Sequence, residues 1–121
     1  MNTNAILSLP AEEDIENYLR VKAGVAGGLV VADAADAAEV LGHNIGGPVD
    51  SDQRGRNIVA MQKKNVGIHY AVAAGEITLA SPKIKGADNG RVQAHGGAGT
   101  AEGVALQPAS GAGQIIQVMY F

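Results

Sequence analysis

Glycine interrupts this chain so often that no long regular element fits between the interruptions. The 121 residues include 17 glycines, and from Val21 onward short β-branched runs alternate with Gly-containing turns. The runs cover residues 29–31, 58–61, 77–79, 91–94, 103–106 and 114–121. Short strands at regular intervals with turn residues between them are typical of a small antiparallel β-barrel or β-sandwich. The pattern therefore predicts a mainly β protein of that class.

Side-chain size limits the core that such a chain can build. A length of 121 residues suits one small domain, and the apolar fraction of 46% includes 21 alanines. Alanine and glycine bury little apolar area, so the core should be thin and partner subunits should cover apolar surface that remains. We expect an N-terminal arm over residues 1–10 and a single β-rich domain over residues 11–121.

The segment 11–20, AEEDIENYLR, has the pattern of a short amphipathic helix. Its acidic residues would lie in the first turn, where the helix dipole favours negative charge. Ile15, Tyr18 and Leu19 would share one face at spacings of three and four residues. The sequence thus predicts one short helix at about 11–20. The later segment 33–41 is compatible with a helical turn or with a loop that leads into a strand.

Two further patterns concern local pairing and repetition. Asn89-Gly90 lies between two strand-like segments, and this dipeptide favours the positive φ angles of a tight hairpin turn. Gly28 and Gly90 begin similar five-residue segments, and Gly42 and Gly103 are separated by nearly the same number of residues as that first pair. These similarities indicate either an internal duplication, about 21–62 and 83–121, or chance similarity in Gly- and Ala-rich text.

Several classes of function find no support. The chain has no cysteine, so it offers no disulfide and no thiolate chemistry. A net charge of −3 and four aromatic residues argue against nucleic-acid binding, and no apolar stretch is long enough to span a membrane. His43, His69 and His95 lack the short spacings of metal ligands and should be solvated or capping residues. We predict no catalytic residue, no metal and no cofactor; the chain should not be an enzyme.

Charge is distributed unevenly along the chain. Acidic residues dominate residues 1–52, and basic residues dominate the remainder. Four of the bases form one cluster in the sequence: Arg54, Arg56, Lys63 and Lys64. They could be a solvated loop and strand edge, where lysine discourages aggregation. Alternatively, they could dock on an acidic surface, either residues 33–52 of a second copy or a larger partner.

The second half carries a recognisable order of elements. An Ala-Ala-Gly-Glu turn (residues 73–76) precedes an apolar strand, and an Ile-Lys-x-x-x-x-Gly-Arg-Val hairpin runs from Ile84 to Val92. Gly-Val-Ala-Leu follows at 103–106, and a Val-containing strand closes the sequence. From Ala74 to Phe121 this order resembles the small capsid cement (head decoration) proteins of tailed bacteriophages.

The resemblance implies a structural protein, often a homotrimer, that is made in the host cytoplasm and sits on the virion exterior. Its partners would be the major capsid protein and itself, and it would stabilise an expanded icosahedral capsid by bridging neighbouring capsomers. The alternatives are another oligomeric virion component of the tail or baseplate, or a non-catalytic interaction module. The family often contacts the shell through an N-terminal arm, so the resemblance makes six residues candidate capsid or subunit contacts by position: Asn2, Thr3, Asn4, Ala5, Ile6 and Leu7. The basic cluster adds four further candidates: Arg54, Arg56, Lys63 and Lys64.

Overall fold

Short strands form nearly all of the regular structure in the computed structural model, which describes residues 5–121. The helical part of this range is limited to two 3₁₀ turns, Ala34–Asp36 and Asp88–Gly90. The strands are β1 (Ile6–Pro10), β2 (Arg20–Ala23), β3 (Leu29–Val31), β4 (Val40–Asn44), β5 (Ile58–Lys63), β6 (His69–Val72), β7 (Lys83–Gly86), β8 (Val92–Ala94), β9 (Gly103–Ala105) and β10 (Ile115–Tyr120).

The strands build two separate antiparallel sheets. The first has the order β1-β5-β4-β2-β3, and the second has the order β6-β10-β9-β7-β8. Each sheet is open, with β1 and β3 at the edges of the first and β6 and β8 at the edges of the second. The mainly β prediction is confirmed, and the arrangement is sandwich-like. A closed barrel is not observed, because the two edge strands of each sheet share no ladder; a single parallel bridge connects β3 to the residue after β1, and another connects β8 to the residue after β6.

The two halves of the chain have the same topology. If β6–β10 are renumbered from one, their order becomes that of β1–β5. A parallel bridge joins Ala11 to Leu29 in the first half and Ala73 to Val92 in the second. The observed correspondence runs from residues 6–63 to residues 69–120, so it extends further toward the N-terminus than the predicted 21–62 and 83–121. A common origin of the halves remains a prediction.

Each half has its own apolar cluster. The first contains Ala11, Ile15, Leu19, Val21, Leu29, Val49, Val59 and Met61. The second contains Ala71, Ala73, Ile77, Ile84, Val92, Ala105, Ala109, Ile116 and Val118. Alanine supplies four of the nine members of the second cluster, so this half buries less apolar area per residue. The two clusters are separate, and Val72 of β6 packs against the first one.

The predicted helix at 11–20 is not formed. Ala11 and Ile15 each make an isolated β-bridge, Tyr18 has a φ of +67°, and β2 begins at Arg20. The acidic side chains that suggested a helix start serve another purpose, because the Glu12 carboxylate accepts hydrogen bonds from the Ala26 and Gly28 amides. Ile15 and Leu19 are buried as expected, but on an irregular backbone with bends at residues 12–13 and a turn at residues 17–18.

The segment expected to be a loose N-terminal arm is, from Ile6 to Pro10, the edge strand β1. It pairs with β5 over five residues, from Ile6 opposite Gln62 to Pro10 opposite Ile58. Leu9 packs against the first cluster, which gives this segment a reason to join the sheet, whereas Leu7 is 37% exposed. Proline is acceptable at this position because an edge strand does not need every amide in the ladder.

The Asn89-Gly90 hairpin is present. β7 and β8 pair in antiparallel register, and Asn89 and Gly90 have φ values of +62° and +75°. The turn is longer than two residues, because the Ala87 amide donates to the Arg91 carbonyl and encloses Asp88–Gly90. The dipeptide therefore predicted the backbone conformation correctly and the loop length incorrectly.

Candidate interaction surfaces

The four basic residues of the sequence cluster lie at two ends of one strand. Arg54 and Arg56 belong to the loop before β5, whereas Lys63 ends β5 and Lys64 follows it. A strand rises roughly 3.3 Å per residue, so the two ends of β5, Ile58 and Lys63, are about 17 Å apart. The structure therefore divides the predicted basic cluster into two separate pairs.

The lysine pair lies beside the described part of the N-terminal contact segment. The Lys63 amide donates to the Ala5 carbonyl at 3.0 Å, and Ile6 is paired with Gln62. Ala5, Ile6 and Leu7 thus adjoin Lys63 and Lys64, so two groups of predicted contact residues come together here. Asn2, Thr3 and Asn4 lie outside the described residues.

Exposed aliphatic residues lie close in the sheet to the lysine pair, and the pairing of Ile6 with Gln62 puts Ile6 on the face opposite to Lys63. Ile6 and Ile68 are each about half exposed, at 52% and 49%, and Leu41 is 41% exposed. The Lys64 amide donates to the Leu41 carbonyl, and the Gln62 side chain donates to the Ile68 carbonyl. We call this group the strand-end surface and define it as Ala5, Ile6, Leu41, Lys63, Lys64 and Ile68.

The strand-end surface combines apolar area with uncompensated positive charge. Neither Lys63 nor Lys64 forms an ion pair with any residue from 5 to 121. Such a surface is complementary to a protein surface that carries carboxylates around an apolar centre.

A second exposed surface lies on one face of the second sheet. Gln117 is paired with Tyr70, so Tyr70, Ile115, Gln117 and Met119 project from the same face of β6 and β10. Tyr70, Ile115 and Met119 are each close to half exposed. This face lies opposite the one that carries the second apolar cluster.

The contact between the two halves includes a buried ion pair. The Arg20 side chain is inaccessible to solvent, and its Nη2 lies 3.1 Å from both carboxylate oxygens of Glu102. Its Nη1 also donates to the carbonyls of Ala87 and Arg91. Gly86 lies against the guanidinium group, and any side chain there would overlap it. Arg20 of β2 therefore anchors the first half to the β7–β8 hairpin.

A buried aromatic cluster lies in the same contact region. The rings of His43 and His69 are 5.0 Å apart, and the Tyr120 ring is within 5.4 Å of each. His43 Nδ1 donates to the Tyr18 carbonyl, which leaves Nε2 to accept the hydrogen bond from the Tyr120 hydroxyl. His69 Nε2 donates to the Lys64 carbonyl, and its Nδ1 has no partner within residues 5–121.

This environment favours the neutral form of all three groups. Burial lowers the pKa of His43 to about 3, partly opposed by the Tyr18 hydrogen bond. Burial also lowers the pKa of His69 and raises that of Tyr120. Removing a charged group from water costs free energy, so burial favours the uncharged form of each of these three side chains.

Sequence reasoning missed these inter-half residues. The expectation that the histidines are solvated or capping is wrong for His43 and His69, which are fully buried. His95 lies elsewhere, in an exposed turn where Nε2 contacts the Gly99 carbonyl. No spacing rule could join His43 to His69, because their proximity depends on how the two halves meet.

Chemistry-bearing groups within residues 5–121 do not converge on a metal centre. No group of three or more His, Asp or Glu residues in this range could hold a metal ion. No helix in the described range is both long enough and apolar enough to cross a membrane.

The surface of the second half has a cleft of about 410 Å³, lined by Ser81, Pro82, Lys83, Ala94, His95, Gly96 and Gly97. We call it the β7–β8 cleft.

Comparison with known proteins gives a similarity of fold. No protein-family model and no curated protein matches this chain. Among solved structures, the chain is similar to the N base of the head fiber gp8.5 of bacteriophage phi29, with a TM-score of 0.70 and 13% sequence identity. The match covers 96% of this chain and 92% of that chain. It therefore includes both sheets and their connection.

Proposed function

We propose that this chain is a non-catalytic structural protein of a tailed-bacteriophage virion. In this proposal a homotrimer binds the outer surface of the expanded icosahedral capsid and stabilises it by bridging neighbouring capsomers. Its partners are the major capsid protein and other copies of itself, and it needs no cofactor, nucleic acid or membrane. The observation that carries the proposal is the end-to-end similarity of fold to the base of a phage head fiber.

The exposed surfaces support this role. The strand-end surface offers aliphatic side chains with two lysines that have no ion-pair partner among residues 5–121, and the outer face of the second sheet offers Tyr70, Ile115 and Met119. Two separate contact surfaces on one small domain allow it to touch two neighbours at once. Bridging converts modest individual contacts into strong attachment, because the second contact forms at high effective concentration.

Stabilisation of the capsid would follow from selective binding. A ligand that binds only the expanded lattice stabilises that state by RT ln(1 + [L]/Kd) for each site. Many equivalent sites on one shell add these small contributions. The proposal therefore requires binding to expanded heads and weaker binding to unexpanded ones.

Co-pelleting with purified heads tests the proposal. We expect the wild-type chain to pellet with expanded heads and to raise the temperature at which they release DNA or fall apart. The Lys63→Glu/Lys64→Glu variant should lose binding, because it reverses the charge of the strand-end surface. The Arg54→Glu/Arg56→Glu variant is the matched control at the other end of β5. Equal binding by both variants and the wild type would remove the strand-end surface from the contact; no binding by the wild type would refute the proposal.

A second candidate is the base of a projecting head fibre, which the phi29 neighbour favours. A fibre base would attach to heads without raising their resistance to heat. Electron microscopy separates the two, because a cement protein adds compact knobs at repeated lattice positions, whereas a fibre adds extended projections.

A further inference from the structure

The hairpin tips of the two halves have the same backbone geometry. In the β2–β3 hairpin the Gly24 amide donates to the Gly28 carbonyl at 2.8 Å, and in the β7–β8 hairpin the Ala87 amide donates to the Arg91 carbonyl at 2.8 Å. Each bond encloses a three-residue tip, 25–27 or 88–90. The third residue of each tip is a glycine with positive φ: Gly27 at +91° and Gly90 at +75°.

The surroundings of the two tips differ completely. Gly90 is buried against the first half, where its amide donates to the Ala32 carbonyl at 2.9 Å. A Cβ at Gly90 would lie 2.8 Å from Leu19 Cβ and 2.9 Å from Val31 Cγ1. The equivalent tip, residues 25–27, is exposed to solvent, with Val25 fully accessible and open space around Gly27.

The surface that receives tip 88–90 has an unoccupied counterpart in the second half. The Ala32 amide donates to the Arg20 carbonyl at 2.9 Å, and the His95 amide donates to the Lys83 carbonyl at 2.9 Å. Ala32 and His95 therefore occupy equivalent positions of the two halves. The same separation in sequence makes Pro82 equivalent to Leu19, and Ala94 equivalent to Val31. These counterparts line the β7–β8 cleft of about 410 Å³.

We propose that tip 25–27 of one copy docks in the β7–β8 cleft of a second copy, as tip 88–90 docks on the first half within the chain. The Gly27 amide, which has no partner among residues 5–121, donates to the His95 carbonyl of the second copy. This inference rests on the self-association contained in the proposed function. It adds the residues that make the contact.

The residue types at the two docking sites change in a matched way. Within the chain, the Asn89 amide donates to the Asp33 carboxylate, and the Ala34 amide donates to the Asp88 carboxylate. At the corresponding positions of the second site, Asp88 is replaced by Val25 and Asp33 by Gly96. Both acidic anchors are lost together: the Ala26 amide of the tip binds Glu12 of its own half, and the cleft that would receive the Val25 side chain has no carboxylate in its lining.

The contact joins different surfaces of two copies, so it is head-to-tail. Such contacts close into a ring when the rotation between copies permits closure and otherwise extend into a filament. A homotrimer is one closed solution. Each copy would then contribute one tip and one cleft.

Disulfide trapping tests the contact, because the natural chain has no cysteine. An Ala26→Cys chain is mixed with an Ala94→Cys chain under mild oxidation. We expect a heterodimeric cross-link between them. The matched control pairs Ala94→Cys with Ala112→Cys, since Ala112 is an exposed alanine in another turn. Equal cross-linking in both mixtures, or none in the first, would overturn the proposal.

Sedimentation of charge variants gives an independent readout. Ala26→Arg places a positive charge beside Lys83 of the cleft and should raise the concentration needed for self-association by roughly tenfold, equivalent to about 1.4 kcal/mol. Adding Lys83→Glu should restore association. Circular dichroism verifies that each variant is folded. Failure of rescue in folded variants would contradict the contact, whereas association without capsid binding would refute the proposed function alone.

Discussion

Arg20 and Glu102 lie 82 residues apart in the sequence and form the buried ion pair that joins the two halves, with 3.1 Å from Arg20 Nη2 to each carboxylate oxygen. Glu102 also accepts a hydrogen bond from the Gly86 amide at 2.6 Å. The pair therefore fixes β2 of the first sheet against β7 of the second. Its charges are removed from water and compensate each other.

Glu102→Ala should lower the free energy of unfolding by about 3–5 kcal/mol, because it leaves the Arg20 charge buried without its partner. Urea denaturation measures this change. Glu39→Ala is the control: Glu39 lies in an exposed ion pair with Lys22, so its loss should cost less than about 1 kcal/mol. Equal effects of the two variants would show that the inter-half pair is not specially important.

Acidification should destabilise the fold through His43 and His69. Both have lowered pKa values in the folded chain, so the unfolded state binds more protons below its histidine pKa of roughly 6.5. Stability is therefore complete above that pH and falls as pH decreases toward 3, the approximate pKa of folded His43. Between pH 7 and pH 5 the loss should be about 2 kcal/mol for His43, and His69 should add a loss of the same sign.

Urea midpoints at several pH values measure this dependence. His43→Gln should flatten it, and His95→Gln is the matched control because His95 lies outside the buried cluster. An unchanged slope in the His43 variant would contradict the assignment of this group as a source of acid sensitivity.

Gly103→Ala should destabilise the second half because a Cβ there would overlap the Met119 carbonyl oxygen of the neighbouring strand. Relief of such a clash requires strand separation, and overpacking commonly costs about 1–3 kcal/mol. Gly42→Ala should behave likewise against the Gln62 carbonyl. Gly75→Ala is the control, since open space surrounds that position. Thermal unfolding compares the three; a neutral Gly103→Ala variant would contradict the close approach.

Truncation after Gly113 should unfold at least the second half. It removes β10, which lies between β6 and β9 and carries the core residues Ile116 and Val118. Far-ultraviolet circular dichroism should show the loss of β structure. Removal of Phe121 alone leaves β10 complete and should preserve the spectrum. A normal β spectrum from the chain ending at Gly113 would mean that the strand order is wrong.

Much of the β structure was predictable because its signals are local. The β-branched runs correctly located β3, β5, β8, β9 and β10, and Asn89-Gly90 correctly located the β7–β8 hairpin. The runs failed at Ile77–Leu79, where Ile77 makes a single bridge. They also missed β1, β2, β4 and β6, whose sequences mix apolar residues with lysine, histidine, glycine or proline.

The segment 11–20 shows why local patterns can mislead. Spacings of three and four residues satisfy a helix, yet Ile15 and Leu19 reach the same core from a non-helical chain that turns at residues 17–18. The decisive interactions are the hydrogen bonds that the Ala26 and Gly28 amides donate to the Glu12 carboxylate. These partners are distant in sequence, so propensity could not count them.

The sequence by itself determined the class of this protein: frequent glycine and short β-branched runs permit little besides small antiparallel sheets, and the many alanines ensure thin cores. Only the tertiary structure decided which groups meet. It separated Arg54 and Arg56 from Lys63 and Lys64 along a strand, and it buried His43 beside His69 and Arg20 beside Glu102. The physical reason is that backbone preference is set within a few residues, whereas charge compensation and desolvation depend on groups that only the packed halves bring together.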